Sequence, residues 1–129
     1  MKHSKRNELN RGKKMNSLKE ILENKKINEK RLEQEAPDLY NGFMAMASHY
    51  YKEGSLSTKY KQLMSVTAAV ATKCVPCMVI SANNAIDAGA TREEVIEAAA
   101  IGIKFGGASA YTLVRNNLLN CLDEIESIH

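Results

Sequence analysis

At 129 residues the chain suits one domain and is long enough to bury a core without disulfide or metal staples. A hydrophobic share of 44% and a charged share of 26% are those of a globular protein. Aromatics at 5%, with no Trp, favour helices packed on helices over a β-sandwich.

The net charge of +3 is uneven. Residues 1–14 hold six Lys or Arg against Glu8 alone, which leaves the remainder slightly acidic. Without interleaved aromatics or a nucleic-acid-binding motif, residues 1–15 read as a flexible, solubilising tail, and no nucleic-acid partner is expected. There is no run of about eighteen apolar residues to span a bilayer. The N-terminus also lacks the apolar core of a signal peptide. The expectation is a cytoplasmic protein without a membrane partner, its domain occupying residues 16–129.

The elements follow in chain order. Ser17-Leu-Lys-Glu20 has the pattern of a capping box, and Leu18, Ile21 and Leu22 give the helix behind it a short apolar stripe. From Asn24 to Glu35 the residues are mostly polar, so this helix should be exposed or lightly packed. Pro37 opens a second helix running to about Lys52, with Leu39, Phe43, Met44, Ala47 and Tyr51 at helical spacing. Gly54 interrupts it. Ser57 then caps a third helix, Thr58 to about Thr72, whose apolar face is Leu63, Val66, Thr67 and Val70. Pro76 fits the first turn of a fourth helix, which Gly89 ends. Thr91-Arg-Glu-Glu94 is a second capping box, opening a fifth helix through Val95, Ile96, Ala99 and Ile103. After Gly106-Gly107 a last helix carries Ala110, Leu113, Val114, Leu118, Cys121, Leu122 and Ile125. Nothing alternates with period two for long, so the predicted fold is all-α, a compact bundle of about six helices.

Cys74-Val-Pro-Cys77 is the feature that carries chemistry. With Pro76 in a first turn, Cys74 falls at or just before the N-cap and Cys77 inside the turn. Both sulfurs then sit at the positive end of the helix dipole, which favours thiolate, and Lys73 adds charge nearby. Such a pair can attack an oxidised substrate and close a disulfide. A metal site would need two further ligands, and Cys121, His49, His3 and His129 are not paired at ligand spacing. A third reading makes the two cysteines small buried hydrophobes. Cys121 itself, flanked by Leu118, Leu119 and Leu122, reads as core. No cofactor is expected, because Gly102, Gly106 and Gly107 lack the strand context of a phosphate-cradling loop.

The context of the pair is specific. Lys61-Gln-Leu-Met64, a nine-residue spacer, Cys74 and Cys77, Ala88-Gly-Ala-Thr91 and Glu93-Glu94 stand in the order and spacing of the carboxymuconolactone decarboxylase-like family, which includes alkyl hydroperoxidase D. The resemblance extends from about Ala36 to Leu122. It implies a thiol–disulfide centre, with Cys77 attacking and Cys74 resolving, while the reverse order has its own physical claim, since Cys74 is the thiol beside the N-cap. It also implies a hydroperoxide or disulfide substrate, a protein dithiol reductant and a homo-oligomer such as a trimer or hexamer. The family's proton relay consists of a Glu twelve residues before the first cysteine and a His four after the second. Here those positions are Gln62 and Ser81, neither of which is a practical base. His49 is a candidate substitute, although its position relative to Ala47 and Tyr51 directs it away from that helix's apolar stripe. Glu94 and Glu97 read as cap and solvated face. Two alternatives stand beside the redox reading: a non-enzymatic oligomeric or ligand-binding member of the fold, and a lactone decarboxylase. The second is disfavoured because the true decarboxylases do not rely on such a pair.

Overall fold

The structure is a computed structural model that describes residues 17–129. The basic tail and His3 therefore lie outside the described residues. Six helices follow in order: α1 Leu18–Glu35, α2 Pro37–Tyr50, α3 Thr58–Ala71, α4 Val75–Asp87, α5 Arg92–Gly106 and α6 Ala108–Ile128. No strand occurs among the described residues. The all-α expectation stands.

The helix starts are fixed by side-chain caps. Ser17, Ser57 and Thr91 accept hydrogen bonds from the amides of Glu20 (3.2 Å), Tyr60 (3.2 Å) and Glu94 (3.1 Å). At Thr91 the box closes, since its own amide donates to Glu94 Oε1 at 2.9 Å. Each cap satisfies a first-turn amide that has no partner inside the helix, an effect of about 1 kcal/mol.

α3 lies at the centre and packs most extensively on α4 and α5. Val66 and Val70 of α3, Met78, Val79 and Ala82 of α4, Val95 and Ala99 of α5, and Leu118, Leu122 and Ile125 of α6 are almost wholly buried. The approach of α5 to α3 is unusually close. A Cβ on Gly102 would stand 2.5 Å from the Thr67 carbonyl oxygen, and one on Gly106 3.2 Å from that of Ala71. Thr67 Oγ1 spans the same seam, donating to the Ala98 carbonyl at 2.8 Å. Ion pairs fasten the periphery: Lys59 with Glu94 at 3.0 Å, and Arg92 with both Asp123 and Glu126.

α1 reaches the bundle through Leu18 and Ile21, and the Leu18 amide donates to Glu124 Oε2 at 3.1 Å. Its remaining turns project as the polar sequence led one to expect. α2 departs from expectation. No residue of α2 is buried, and Leu39, Phe43 and Met44 face outward, with Phe43 60% exposed. The helical spacing was correctly read, but α2 packs principally on α1 and not into the core. Among the described residues, most of its apolar stripe is left uncovered.

Candidate functional site

The site grows from the joint between α3 and α4. The Lys73 amide bonds to the Val70 carbonyl at 3.1 Å and the Cys74 amide to that of Ala69 at 2.9 Å, the two bonds of a Schellman turn. Lys73 holds the left-handed position of that turn, φ 60°, which normally falls to glycine. Gly89 occupies the matching position after α4, with φ 101°. Left-handed backbone costs a residue with a Cβ about 1 kcal/mol or more, so the chain tolerates strain immediately before the first cysteine.

That turn leaves no loop between the helices: Cys74 both closes α3 and is the N-cap of α4. Pro76 sits in the first turn of α4, where its missing amide hydrogen costs nothing. The Cys77 amide donates to Cys74 Sγ at 3.3 Å. A sulfur thus takes the capping role that serine or threonine oxygens hold at α1, α3 and α5. The two sulfurs are bonded as a disulfide, with the Cα atoms 5.3 Å apart. Cys77 is exposed and Cys74 half-buried. In the reduced protein, the amide donor and the positive end of α4 would stabilise negative charge on Cys74, while Cys77 meets solvent.

Ser81 follows Cys77 by one helical turn on the same face of α4 and is 8% exposed. Gln62 lies on α3, 6% exposed, and its Oε1 is buried without a hydrogen-bond partner. An unsatisfied buried oxygen costs about 1–3 kcal/mol, so this one stands ready to accept from any donor that reaches it. Gln62 and Ser81 are therefore both interior and neutral. His49 is exposed in the last turn of α2, on the helix that packs against α1.

Cys121 belongs to the core, as its leucine neighbours indicated. Burial, and secondarily the charge of Glu124, pushes its thiol up to about 12. The backbone amide of Thr91, and after it the ammonium of Lys59, hold the Glu94 carboxyl below its usual range, in keeping with a cap. Among the described residues, no cluster of three or more His, Cys, Asp or Glu side chains could hold a metal ion. No helix there is long and apolar enough to cross a membrane.

The sequence reading passed over one feature. An open cleft of about 480 Å³ runs between α1 and α4. Pro76 and Ile80 form its α4 wall, and Ile21, Asn24, Asn28 and Leu32 lie along its α1 side. Those four residues recur at spacings of three and four, one face of a helix. In the sequence the two asparagines read as ordinary solvated residues of a mostly polar segment.

Comparison with known proteins places this geometry in a family. The carboxymuconolactone decarboxylase family profile matches residues 37–116. A Paracoccus denitrificans protein, "Uncharacterized protein 4 in cox locus", is 31% identical over 86 residues, covering 67% of this chain and 77% of that protein. Among solved structures, a carboxymuconolactone decarboxylase family protein of Legionella pneumophila superposes with a TM-score of 0.73 at 25% identity, over 85% of this chain and 95% of that one. A Thermotoga maritima family protein, described as a candidate participant in an antioxidative response, gives 0.74 at 24% identity, over 84% and 93%. With the family profile covering most of the chain and a relative matched over two thirds of it, the protein belongs to the carboxymuconolactone decarboxylase family.

Proposed function

We propose that the protein is a thiol–disulfide oxidoreductase that reduces hydroperoxides through Cys74 and Cys77. The observation that carries this reading is the Cys74 cap: a sulfur at a helix N-terminus, bonded by the amide of an exposed second cysteine. The cycle balances on these two residues. The Cys77 thiolate attacks the terminal peroxide oxygen, the O–O bond breaks, and the alcohol leaves after taking a proton. Cys77 is then a sulfenic acid. The Cys74 thiolate attacks that sulfur, forming the disulfide and releasing hydroxide, which protonates to water. An external dithiol returns both sulfurs to the reduced state and is itself oxidised to a disulfide.

Gln62 and Ser81 change how the proton is handled. Without a carboxylate–imidazole relay, the thiolate depends on the helix terminus, so turnover should follow the thiolate fraction as pH rises. Restoring a relay with Gln62→Glu and Ser81→His together should raise peroxide turnover on the order of 10²-fold, the scale of positioned general-base catalysis. The uncovered stripe of α2 supports the homo-oligomer that the resemblance implies, and sedimentation at micromolar concentration tests it. The family name by itself does not assign a reaction.

Single substitutions test the assignment. Cys77→Ser should abolish peroxide consumption, whereas Cys74→Ser should allow one turnover and stop at a Cys77 sulfenic acid. Peroxide turnover retained by Cys77→Ser would refute the reading. The neutral relay positions favour the second reading, a non-enzymatic binding protein on the same fold, and failure of the wild-type protein to consume hydroperoxide would select it.

A further inference from the structure

Two apolar helix faces lie uncovered among the described residues. The first is on α2, whose acidic and basic side chains are Asp38 and His49 alone. Leu39, Phe43, Met46 and Tyr50 recur there at spacings of four, three and four, the pattern of a seam that packs along other helices. They are 43–64% exposed. A helix of 14 residues is marginal in water by itself and is normally supported by what its apolar face packs against. The second face lies along the central pair of helices. α3 and α5 run parallel and in step: Lys59 meets Glu94 at 3.0 Å, Thr67 Oγ1 bonds the Ala98 carbonyl at 2.8 Å, and Gly106 abuts Ala71. Met64 and Tyr60 precede Thr67 by one and two turns, and Ile101 and Phe105 follow Ala98 by one and two. The four side chains therefore share the outer side of the α3–α5 seam, where they are 50–74% exposed.

We propose that α2 of a second copy of this chain docks along the outer side of the α3–α5 seam. The proposal rests on the homo-oligomer of the preceding section and adds which two surfaces meet; it does not depend on the peroxide chemistry. The dimensions match. Leu39 to Tyr50 spans ~16.5 Å of α2, and Tyr60 to Ala71, which is level with Gly106, spans the same ~16.5 Å of the seam at 1.5 Å per residue. The area is also that of a stable contact. Half-exposed side chains of this size offer on the order of 100 Å² each. The eight together supply about 800 Å², the apolar ~65% of a homodimer interface of ~1,200 Å².

A second copy fits better than other occupants. Both faces belong to one chain, so a single kind of contact between copies covers both, whereas an unrelated protein seated on one would leave the other bare. The chain's own α2 is held away from the seam. Its body packs on α1, and Tyr51, which closes it, is fixed to another side of α3: its hydroxyl lies 2.8 Å from Ser65 Oγ, and its carbonyl accepts from Thr58 Oγ1 at 2.9 Å. Residues 1–16 offer Met1, Leu9 and Met15 as their large apolar side chains, among six Lys or Arg, too few to cover either face. Neither stripe carries a charge that docking would strand. At one end of the seam Lys59 and Glu94 already neutralise each other, and Glu97 and Lys104 are exposed on the flank of α5.

The test is sedimentation velocity on the full chain at micromolar concentration, with Phe43→Glu in the α2 stripe and Met64→Glu in the seam. The wild-type protein should sediment as an assembly and each variant alone as a monomer. An equimolar mixture of the two variants should form a mixed pair, because the intact α2 of one meets the intact seam of the other. Both positions are exposed and glutamate is a good helix former, so the monomers are expected to fold, which circular dichroism checks. Hydrogen exchange of the wild-type protein gives a route without substitution. Its α2 amides should exchange about tenfold more slowly where the protein assembles than after dilution to the monomer. Assembly retained by Met64→Glu, as when α2 pairs with the α2 of another copy, would overturn the pairing and leave the homo-oligomer standing. So would variants that stay monomeric when mixed, or α2 exchange indifferent to concentration. A wild-type protein that is monomeric throughout the micromolar range would overturn the homo-oligomer and this proposal together.

Discussion

Gly102→Ala tests the close approach of helices that holds the site's scaffold. The added Cβ would stand 2.5 Å from the Thr67 carbonyl oxygen and 2.7 Å and 2.8 Å from Val70 Cβ and Cγ1. Non-bonded atoms prefer separations of about 3.5–4.0 Å, so α5 must retreat from α3 by about 1 Å. Overpacking of this kind costs about 1–3 kcal/mol. Separation also stretches the hydrogen bond from Thr67 Oγ1 to Ala98, 2.8 Å long and worth about 1 kcal/mol. Against these stands a gain of about 1 kcal/mol in helix propensity. The net expectation is a loss of about 2 kcal/mol, or a Tm lower by roughly 8 °C for a domain of this size. Thermal unfolding followed by circular dichroism reads it directly. Gly42→Ala on α2 is the control, because a Cβ there meets nothing within 4 Å. That variant should gain up to ~1 kcal/mol from helix propensity. If Gly102→Ala matches or exceeds the wild-type Tm, the tight α3–α5 seam is wrong.

Three further expectations concern the joint, the cap and the core. Lys73→Gly relieves a left-handed residue, offset in part by greater freedom of the unfolded chain, and should stabilise by up to ~0.5 kcal/mol; a lower Tm would argue against strain before Cys74. Glu94→Gln should lower stability at neutral pH. The native carboxyl titrates below its unfolded value, so its charge contributes fully above the unfolded pKa and is lost as pH falls through the lower native one. Unfolding curves of variant and wild type should therefore converge in acid, and a gap of constant size would refute the charge's role. Cys121 should resist iodoacetamide at pH 8 in the native protein and react once the chain is unfolded, its thiol being pushed up to about 12. The unfolded thiol ionises near 8.5, so this residue's contribution to stability should decline as pH rises from there toward 12. Rapid native alkylation would contradict its burial.

Most of the fold was legible because each helix announces itself with local chemistry. Ser57, Thr91 and Pro76 mark starts, and Gly89 supplies the positive φ that ends α4. Burial was less legible for a physical reason. The spacing of Leu39, Phe43 and Met44 identifies an apolar helix face but not what covers it, and α2 leaves that face outside the core. Lys73 shows a similar limit. Nothing local in Thr72-Lys73-Cys74 signals a left-handed residue; the turn becomes necessary only because α3 and α4 pack directly together. The cysteine pair was readable through its spacing and its proline. The cleft was not, because it needs the tertiary placement of α1 against α4, and its asparagines resemble ordinary solvated residues.

The most direct measurement adds one equivalent of an organic hydroperoxide to the fully reduced protein, then counts and maps its thiols by alkylation and mass spectrometry. Two thiols should disappear together, with loss of two hydrogens, into a Cys74–Cys77 disulfide within the chain, leaving Cys121 as a thiol. A protein that keeps all its thiols, or that halts at an oxidised single cysteine without closing the disulfide, would contradict a redox-active pair.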